Sequence, residues 1–341
     1  MKIVVLAGGI STERDVSFNT GKNVYKALKT KGHQVILLDV YLGYEDDIQD
    51  IFEKETDWTL NIGGISEQDP DLEKIKAMRK DGGKSFFGPN VLNICSMADV
   101  VFIALHGENG ENGKVQAAFD LMGITYTGTD YLSSAICMNK ALTKEILQAY
   151  QVPVPSGHHF YTDCREEEPF TLPCVVKACC GGSSVGVSIV HTGEEYRAAL
   201  DDSFQYDSEV VVEEYVKGRE FSIGVMNGKA LPIIEIAPKT GFYDYKNKYQ
   251  PGATIDTCPA LLTDEQTREM QGYAEAAFRA LRLQKYARID FMMNEQGKMY
   301  CLEANTLPGM TSTSLLPQEV KACGGNFEDL CQQIVEMALE D

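Results

Sequence analysis

The stretch from Tyr286 to Asn305 restricts the fold more than any other part of the chain. An alternating apolar run leads into Asn294-Glu295-Gln296-Gly297, and a second, mostly apolar run follows. A glycine in a short polar break between two such runs signals a β-hairpin. Alternation places Arg288 and Asp290 on one face of the first strand, and Glu303 and Asn305 on one face of the second. The turn brings Asp290 nearly opposite Glu303. Two carboxylates and an amide oxygen, all hard ligands, then share a small volume beside an arginine. Like charges this close are costly unless a cation lies between them. Mg²⁺ held by a few carboxylates plus substrate phosphates fits that pattern. A solvated strand face is the plainer alternative. Leu302 and Ala304, which flank the charges, and the Pro308-Gly309 step beyond them favour the cation.

With 341 residues the chain is long enough for two or three domains and a large core. Its net charge of −19 argues against a nucleic-acid or anionic-membrane partner, which would want a basic face. A phosphate ligand stays compatible, because a few local lysines and backbone N–H groups suffice. The ten cysteines include no C-x-x-C pair, and Cys179-Cys180 are adjacent. They read as reduced, mostly buried thiols of a cytosolic protein, neither a disulfide framework nor a zinc site. The opening MKIVVLAGG is too short for a signal-peptide core, and no run of 18 apolar residues exists to span a membrane.

Ile3 to Ala7 is a continuous apolar run, the pattern of a buried strand. Gly8-Gly9, a helix to about Lys31 and a strand from Val35 to Val40 follow. Strand–helix–strand marks a parallel α/β domain, in which ligands sit at the carboxyl ends of strands. Glu13 lies just past the first strand's end; a first-turn acid favoured by the helix dipole is its other reading. Residues 41–90 form a variable connection with one helix near Asp71–Lys80. Gly83-Lys84-Ser85 resembles the end of a P-loop, but Met78 stands where the first glycine belongs, so no Walker A site is present. Ala98 to Leu105 is a further strand, ending in His106-Gly107. A helix over Lys114–Met122 and a last strand starting at Gly123–Tyr126 complete this domain. His106, at a strand's carboxyl end, is either structural or directed at a substrate.

A second region starts near Asp130. Asn139 to Tyr150 is helical, Cys174–Ala178 is a strand carrying Lys177, and Val187–Val190 returns as a strand. Between them Gly181-Gly182-Ser183-Ser184-Val185-Gly186 is either a flexible hairpin tip or a loop that folds over phosphates. Thr192-Gly-Glu-Glu195 opens a helix, and Glu209–Tyr215 is strand-like. Asn227-Gly228 is a tight hairpin turn. Lys239 to Ala253 is long, aromatic, basic and without period, the character of an active-site lid. Thr263-Asp-Glu-Gln266 caps a helix to about Leu281, and a final helix spans Phe327–Leu339.

Seven segments together resemble the D-alanine–D-alanine ligases of the ATP-grasp superfamily, over nearly the whole chain. They are GGISTERDVS (8–17), ALHGENGENG (104–113), VVKACCGGSSVGVS (175–188), EEYVKGREFS (213–222), GFYDYKNKY (241–249), ARIDFM (287–292) and LEANTLPGMTSTS (302–314). The resemblance implies an α/β chain, α+β in its C-terminal part. It implies an ATP-grasp fold behind an N-terminal parallel α/β substrate-binding domain (1–130). The central subdomain would be 131–213 and the C-terminal domain 214–341, with the lid at 239–253 and the metal hairpin at 286–305. It implies ATP as substrate, Mg²⁺ or Mn²⁺ as cofactor, and a cytoplasmic homodimer without nucleic-acid or membrane partners.

Residue by residue, Asp290, Glu303 and Asn305 match the family's metal ligands. Lys140, Lys177 and Lys248 match its ATP-phosphate contacts, with Glu213 and Glu220 near the adenosine. Arg288 and the Gly309 N–H match the oxyanion donors. Glu13 matches the residue holding the first substrate's ammonium, with Ser183 and Tyr249 as hydrogen-bonded companions and His106 nearby. Ser314 matches the contact to the second substrate's carboxylate. The chain departs from the family pattern at Ala178, where proline is usual, at Asn112, where aspartate is usual, and in LLPQEVKACGGN after Ser314. A ligase making D-alanyl-D-lactate or D-alanyl-D-serine, a nucleotide-binding paralogue without catalysis, and an ATP-grasp ligase joining other amino acids are the alternatives. Tyr249 stands where lactate-type relatives carry histidine. Intact Arg288, Asp290, Glu303 and Asn305 speak against a binding-only role.

Overall fold

A run without polar side chains needs burial on both faces, and Ile3–Ala7 finds it at the centre of a parallel sheet. Strand β1 (Lys2–Ala7) pairs on one side with β2 (Gln34–Asp39) and on the other with β3 (Val100–Ile103). Helix α1 (Arg14–Thr30) makes the crossover from β1 to β2. The computed structural model describes all residues except 61–69, 166–167, 170, 183–185, 240–253, 312 and 341. Two short helices, α2 (Leu72–Ala77) and α3 (Val91–Ser96), precede β3, and α4 (Lys114–Met122) follows it. The strand expected from Gly123 is a single parallel bridge, Tyr126 to Val101. The ladder stops there because the Thr127 hydroxyl accepts the Ile103 N–H at 3.0 Å, taking the place of a backbone carbonyl.

The chain divides into two compact units, Met1–Tyr131 with Leu307–Asp341, and Leu132–Thr306. The expected segment 214–341 is thus shared between them. The second unit begins with α5 (Tyr131–Met138) and α6 (Lys140–Ala149). A four-stranded antiparallel sheet follows, in the order β4 (Gly157–Tyr161), β7 (Glu209–Glu214), β5 (Cys174–Ala178), β6 (Val187–Val190). Alternation turns Cys174, Val176, Val190, Val210 and Val212 into an apolar layer with Tyr196, Ala199 and Leu200 of α7 (Gly193–Ser203).

The larger antiparallel sheet contains β8 (Gly218–Met226), β9 (Lys229–Ala230), β10 (Ile234–Pro238), β11 (Thr254–Thr257), β12 (Tyr286–Asn294) and β13 (Met299–Asn305). Its central order is β10-β8-β12-β13. The turn expected at Asn227-Gly228 is present, both residues having positive φ (46° and 73°), which suits this pair of residue types. One face of the sheet is apolar: Phe221, Ile223, Ile289, Phe291 and Cys301 pack with Met270, Ala274 and Ala277 of α8 (Asp264–Ala280). The capping box expected at Thr263 and Gln266 is formed. In the first unit, α9 (Leu315–Ala322) and α10 (Phe327–Leu339) close the chain. The buried stripe of α10, Leu330, Ile334, Val335 and Ala338, lies against α1 and β3. Among the described residues no helix is long and apolar enough to cross a membrane.

Candidate active site

The polar face of the larger sheet opposes the layer just described. Register aligns Ser222, Asp290 and Glu303 in one row across β8, β12 and β13, and Gly224, Arg288 and Asn305 in the next. Glu220 and Met292 pair one step further along. The direct opposition of Asp290 and Glu303 is thus as the hairpin pattern implied. A β-bulge follows immediately: Phe291 faces Cys301, so Leu302 has no partner. The bulge lets Leu302 and Glu303, although adjacent, both line one cavity.

Asp290 is 7% exposed. Its Oδ1 accepts from Ser222 Oγ (2.6 Å) and Arg288 Nε (2.9 Å). Its Oδ2 accepts from Arg288 Nη2 (2.8 Å) and Asn305 Nδ2 (2.9 Å). Four donors hold this carboxylate in place at the centre of the row.

The cavity, of about 450 Å³, lies between the two sheets of the second unit. Lys177 and Glu213 enter it from the smaller sheet, Glu220, Asp290 and Glu303 from the larger one. Val175, Ile189, Met292 and Leu302 supply apolar walls. A volume of this size, with apolar walls and charged groups converging on it, suits a small, charged ligand. Glu213 is buried between two ammonium groups, those of Lys177 and Lys144, the latter at 2.6 Å. Burial works against its charge, but Lys177 and Lys144 outweigh it and hold the carboxyl below its ordinary range. Burial likewise pushes the Lys144 ammonium down, against the pull of Glu213. Lys140 opens α6 next to its N-cap Asn139, and its Nζ donates to the Gly181 carbonyl at 2.8 Å.

In the first unit, Glu13 and His106 stand at the carboxyl ends of β1 and β3. Glu13 precedes α1 without capping it and is 6% exposed. Gly107 has φ +76°, and a Cβ there would come within 2.8 Å of the Glu13 carboxylate, so only glycine allows the approach. Ser11 Oγ donates to the His106 carbonyl at 2.9 Å, and His106 Nε2 lies 2.8 Å from Thr20 Oγ1. Ser314 is the N-cap residue of α9, its Oγ accepting the Thr311 N–H at 3.0 Å. Gly309 folds against it, with a Cβ position 2.8 Å from Ser314 Oγ.

The sequence-derived candidates therefore fall into groups. Lys140, Lys177, Glu213, Glu220, Asp290 and Glu303 line one cavity, and Arg288 and Asn305 bond to Asp290 beside it. Glu13, His106, Gly309 and Ser314 belong to the first unit. Ser183, Lys248 and Tyr249, and the lid beyond Lys239, lie outside the described residues. Sequence reasoning missed Lys144, Ser222 and Leu302. The signals for the first two were present: Lys144 follows Lys140 by one helical turn, and Ser222 follows Glu220 by one strand period.

Two family models match the chain, D-ala D-ala ligase N-terminus over residues 2–129 and D-ala D-ala ligase C-terminus over residues 156–336. A D-alanine–D-alanine ligase of Lacticaseibacillus casei is 45% identical over 347 aligned positions, covering 100% of this chain and 96% of the relative. One of Pediococcus pentosaceus is 44% identical, covering 98% and 97%. The crystal structure of the Bacillus anthracis D-alanine–D-alanine ligase complexed with ATP superposes with a TM-score of 0.72 at 30% identity, covering 100% of this chain and 97% of that one. The two antiparallel sheets facing each other across the cavity are those of an ATP-grasp fold. With both family models matched and full-length relatives at this identity, the chain belongs to the D-alanine–D-alanine ligase family.

Proposed function

We propose that this chain joins two D-alanines into D-alanyl-D-alanine, driven by ATP through a D-alanyl phosphate, for peptidoglycan precursor synthesis. The observation that carries the reading is the row Ser222–Asp290–Glu303, flanked by Arg288 and Asn305, facing a cavity that also holds Lys177 and Glu213. ATP phosphorylates the carboxylate of the first D-alanine, the amine of the second attacks the acyl phosphate, and ADP and phosphate leave. Negative charge builds first on the γ-phosphoryl group and then on the tetrahedral carbon's oxygen, so the site needs fixed cations and donors.

Asp290, Glu303 and Asn305 offer only hard oxygen donors, and the two acids stand in direct register, a set that suits Mg²⁺ or Mn²⁺. The ion, when bound, neutralises charge on the phosphate oxygens. In this reading Lys140 and Lys177 contact the phosphates, and Glu213 and Glu220 hold the adenosine. Arg288 and the Gly309 N–H receive the oxyanion. Glu13 takes the first substrate's ammonium, with His106 close by, and Ser314 takes the second substrate's carboxylate. Ser183, Lys248 and Tyr249 keep the roles that the family motif assigns. The ligase is proposed to act in the cytoplasm as a homodimer.

The test is purified protein with ATP, Mg²⁺ and D-alanine, scored by product mass. Dipeptide with stoichiometric ADP is expected, and ATP hydrolysis without dipeptide would overturn the reading. Tyr249 adds a second expectation. A neutral side chain there brings no positive charge to repel an amine nucleophile, whereas a histidine would at lower pH. At about pH 7, where a histidine would begin to titrate, D-alanine with excess D-lactate should still give dipeptide. Depsipeptide as the main product would count against the tyrosine argument.

A further inference from the structure

We propose that Cys179, Cys180 and Asp207 form a binding site for one soft divalent cation, Zn²⁺ or Cd²⁺, at the root of the glycine-rich segment that follows β5. Strand β5 ends at Ala178, and the two cysteines are the next residues. Cys179 is buried, with its Sγ donating to Asn139 Oδ1 at 3.2 Å, while Cys180 is exposed. The Cys180 N–H donates to Asp207 Oδ2 at 2.7 Å, which fixes that carboxylate beside the pair. One donor atom from each of the three residues lies within 4.8 Å of the others. Two sulfurs on a tetrahedral zinc sit roughly 3.8 Å apart, given Zn–S bonds of about 2.3 Å, a separation that falls inside this bound.

Ligand softness separates this place from the hairpin. Two thiolates and one carboxylate select zinc or cadmium, whereas Asp290, Glu303 and Asn305 offer only hard oxygens. Cysteine spacing, which reads against a zinc site, does not reveal this one, because its third donor, Asp207, stands 27 residues beyond Cys180. Binding forms two metal–sulfur bonds and one metal–oxygen bond, releases the thiol protons to solvent, and leaves the fourth position to water. No oxidation is involved.

The test titrates the full-length, reduced and chelator-washed protein with Cd²⁺ in Mg²⁺-containing buffer and follows the sulfur-to-cadmium charge-transfer absorbance. One Cd²⁺ per chain is expected. Cys180→Ser, at an exposed position, should abolish the signal. Asp207→Asn should weaken binding by at least the roughly 10–100-fold that even outer-shell substitutions cost. Cys164→Ser and Cys323→Ser, which remove the other exposed thiols, should leave the signal unchanged. Absence of the signal in the native chain, its survival in Cys180→Ser, or its loss in Cys164→Ser or Cys323→Ser would each overturn the proposal.

Discussion

Replacing Glu303 by glutamine keeps the size of the side chain and removes one charge from the row opposite Asp290. Glu303 is half-buried at the cavity wall, so the fold should survive while turnover falls by a few powers of ten, several kcal/mol of barrier. Steady-state rates at saturating Mg²⁺, with circular dichroism as the control, check this; near-normal rates would remove Glu303 from the metal set. Glu213 supports a prediction about pH. Its folded-state carboxyl lies below the ordinary 4.5, because Lys177 and Lys144 outweigh the cost of burial. A depressed carboxyl contributes stability that is complete above its unfolded pKa and is lost as pH falls through the folded value. Glu213→Gln should therefore melt well below the native chain at neutral pH, and the gap should narrow below about pH 4.5. Melting curves of both proteins between about pH 3 and pH 7 decide it. A gap that widens in acid would contradict the pairing.

At the scale of elements, α8 rests on the Thr263–Gln266 capping box. Thr263→Ala should cost about 1 kcal/mol in denaturant unfolding with turnover unchanged, as the residue lies on a helix end away from the cavity. That capping box, the β12–β13 hairpin and α4 were legible from sequence because their signals are local: a cap and its partner three residues on, a turn between alternating runs. What escaped was non-local or ambiguous. The bulge at Leu302 depends on the register of two strands, which alternation within either strand does not reveal. Helix α9 was missed because Pro317 reads as a breaker, although in the first turn its lost N–H has no helical partner anyway. Strand β4, Gly157-His-His-Phe-Tyr161, sits at a sheet edge with one buried side chain and so lacks alternation. The site divides in the same way. Arg288, Asp290, Glu303 and Asn305 share one hairpin and were visible together. The tie between Lys144 and Glu213 spans 69 residues and exists only in the fold.

At the scale of the molecule, the first unit is built from both ends of the chain. Ile334 on α10 is fully buried in that packing. Ile334→Ala should destabilise by about 2–5 kcal/mol, seen as an earlier unfolding transition by calorimetry. A change within error would mean that α10 contributes little to the unit. His33 Nε2 and Gln332 Oε1, 2.6 Å apart, and the Lys31–Asp329 ion pair tie the same helix to the turn after α1. That helix also sets a timetable for the ribosome. When residue 131 has been made, α1 and β3 lack the helix that covers them, and 326 − 131 = 195 residues must follow before its first residue, Phe327, is added. At about 5–20 residues per second that interval is roughly 10–40 s. During it the nascent chain carries an uncovered apolar surface, available to chaperones, while Leu132–Thr306 already has all of its residues once Thr306 is made. The unit whose synthesis begins first is therefore the one whose last residue is made last.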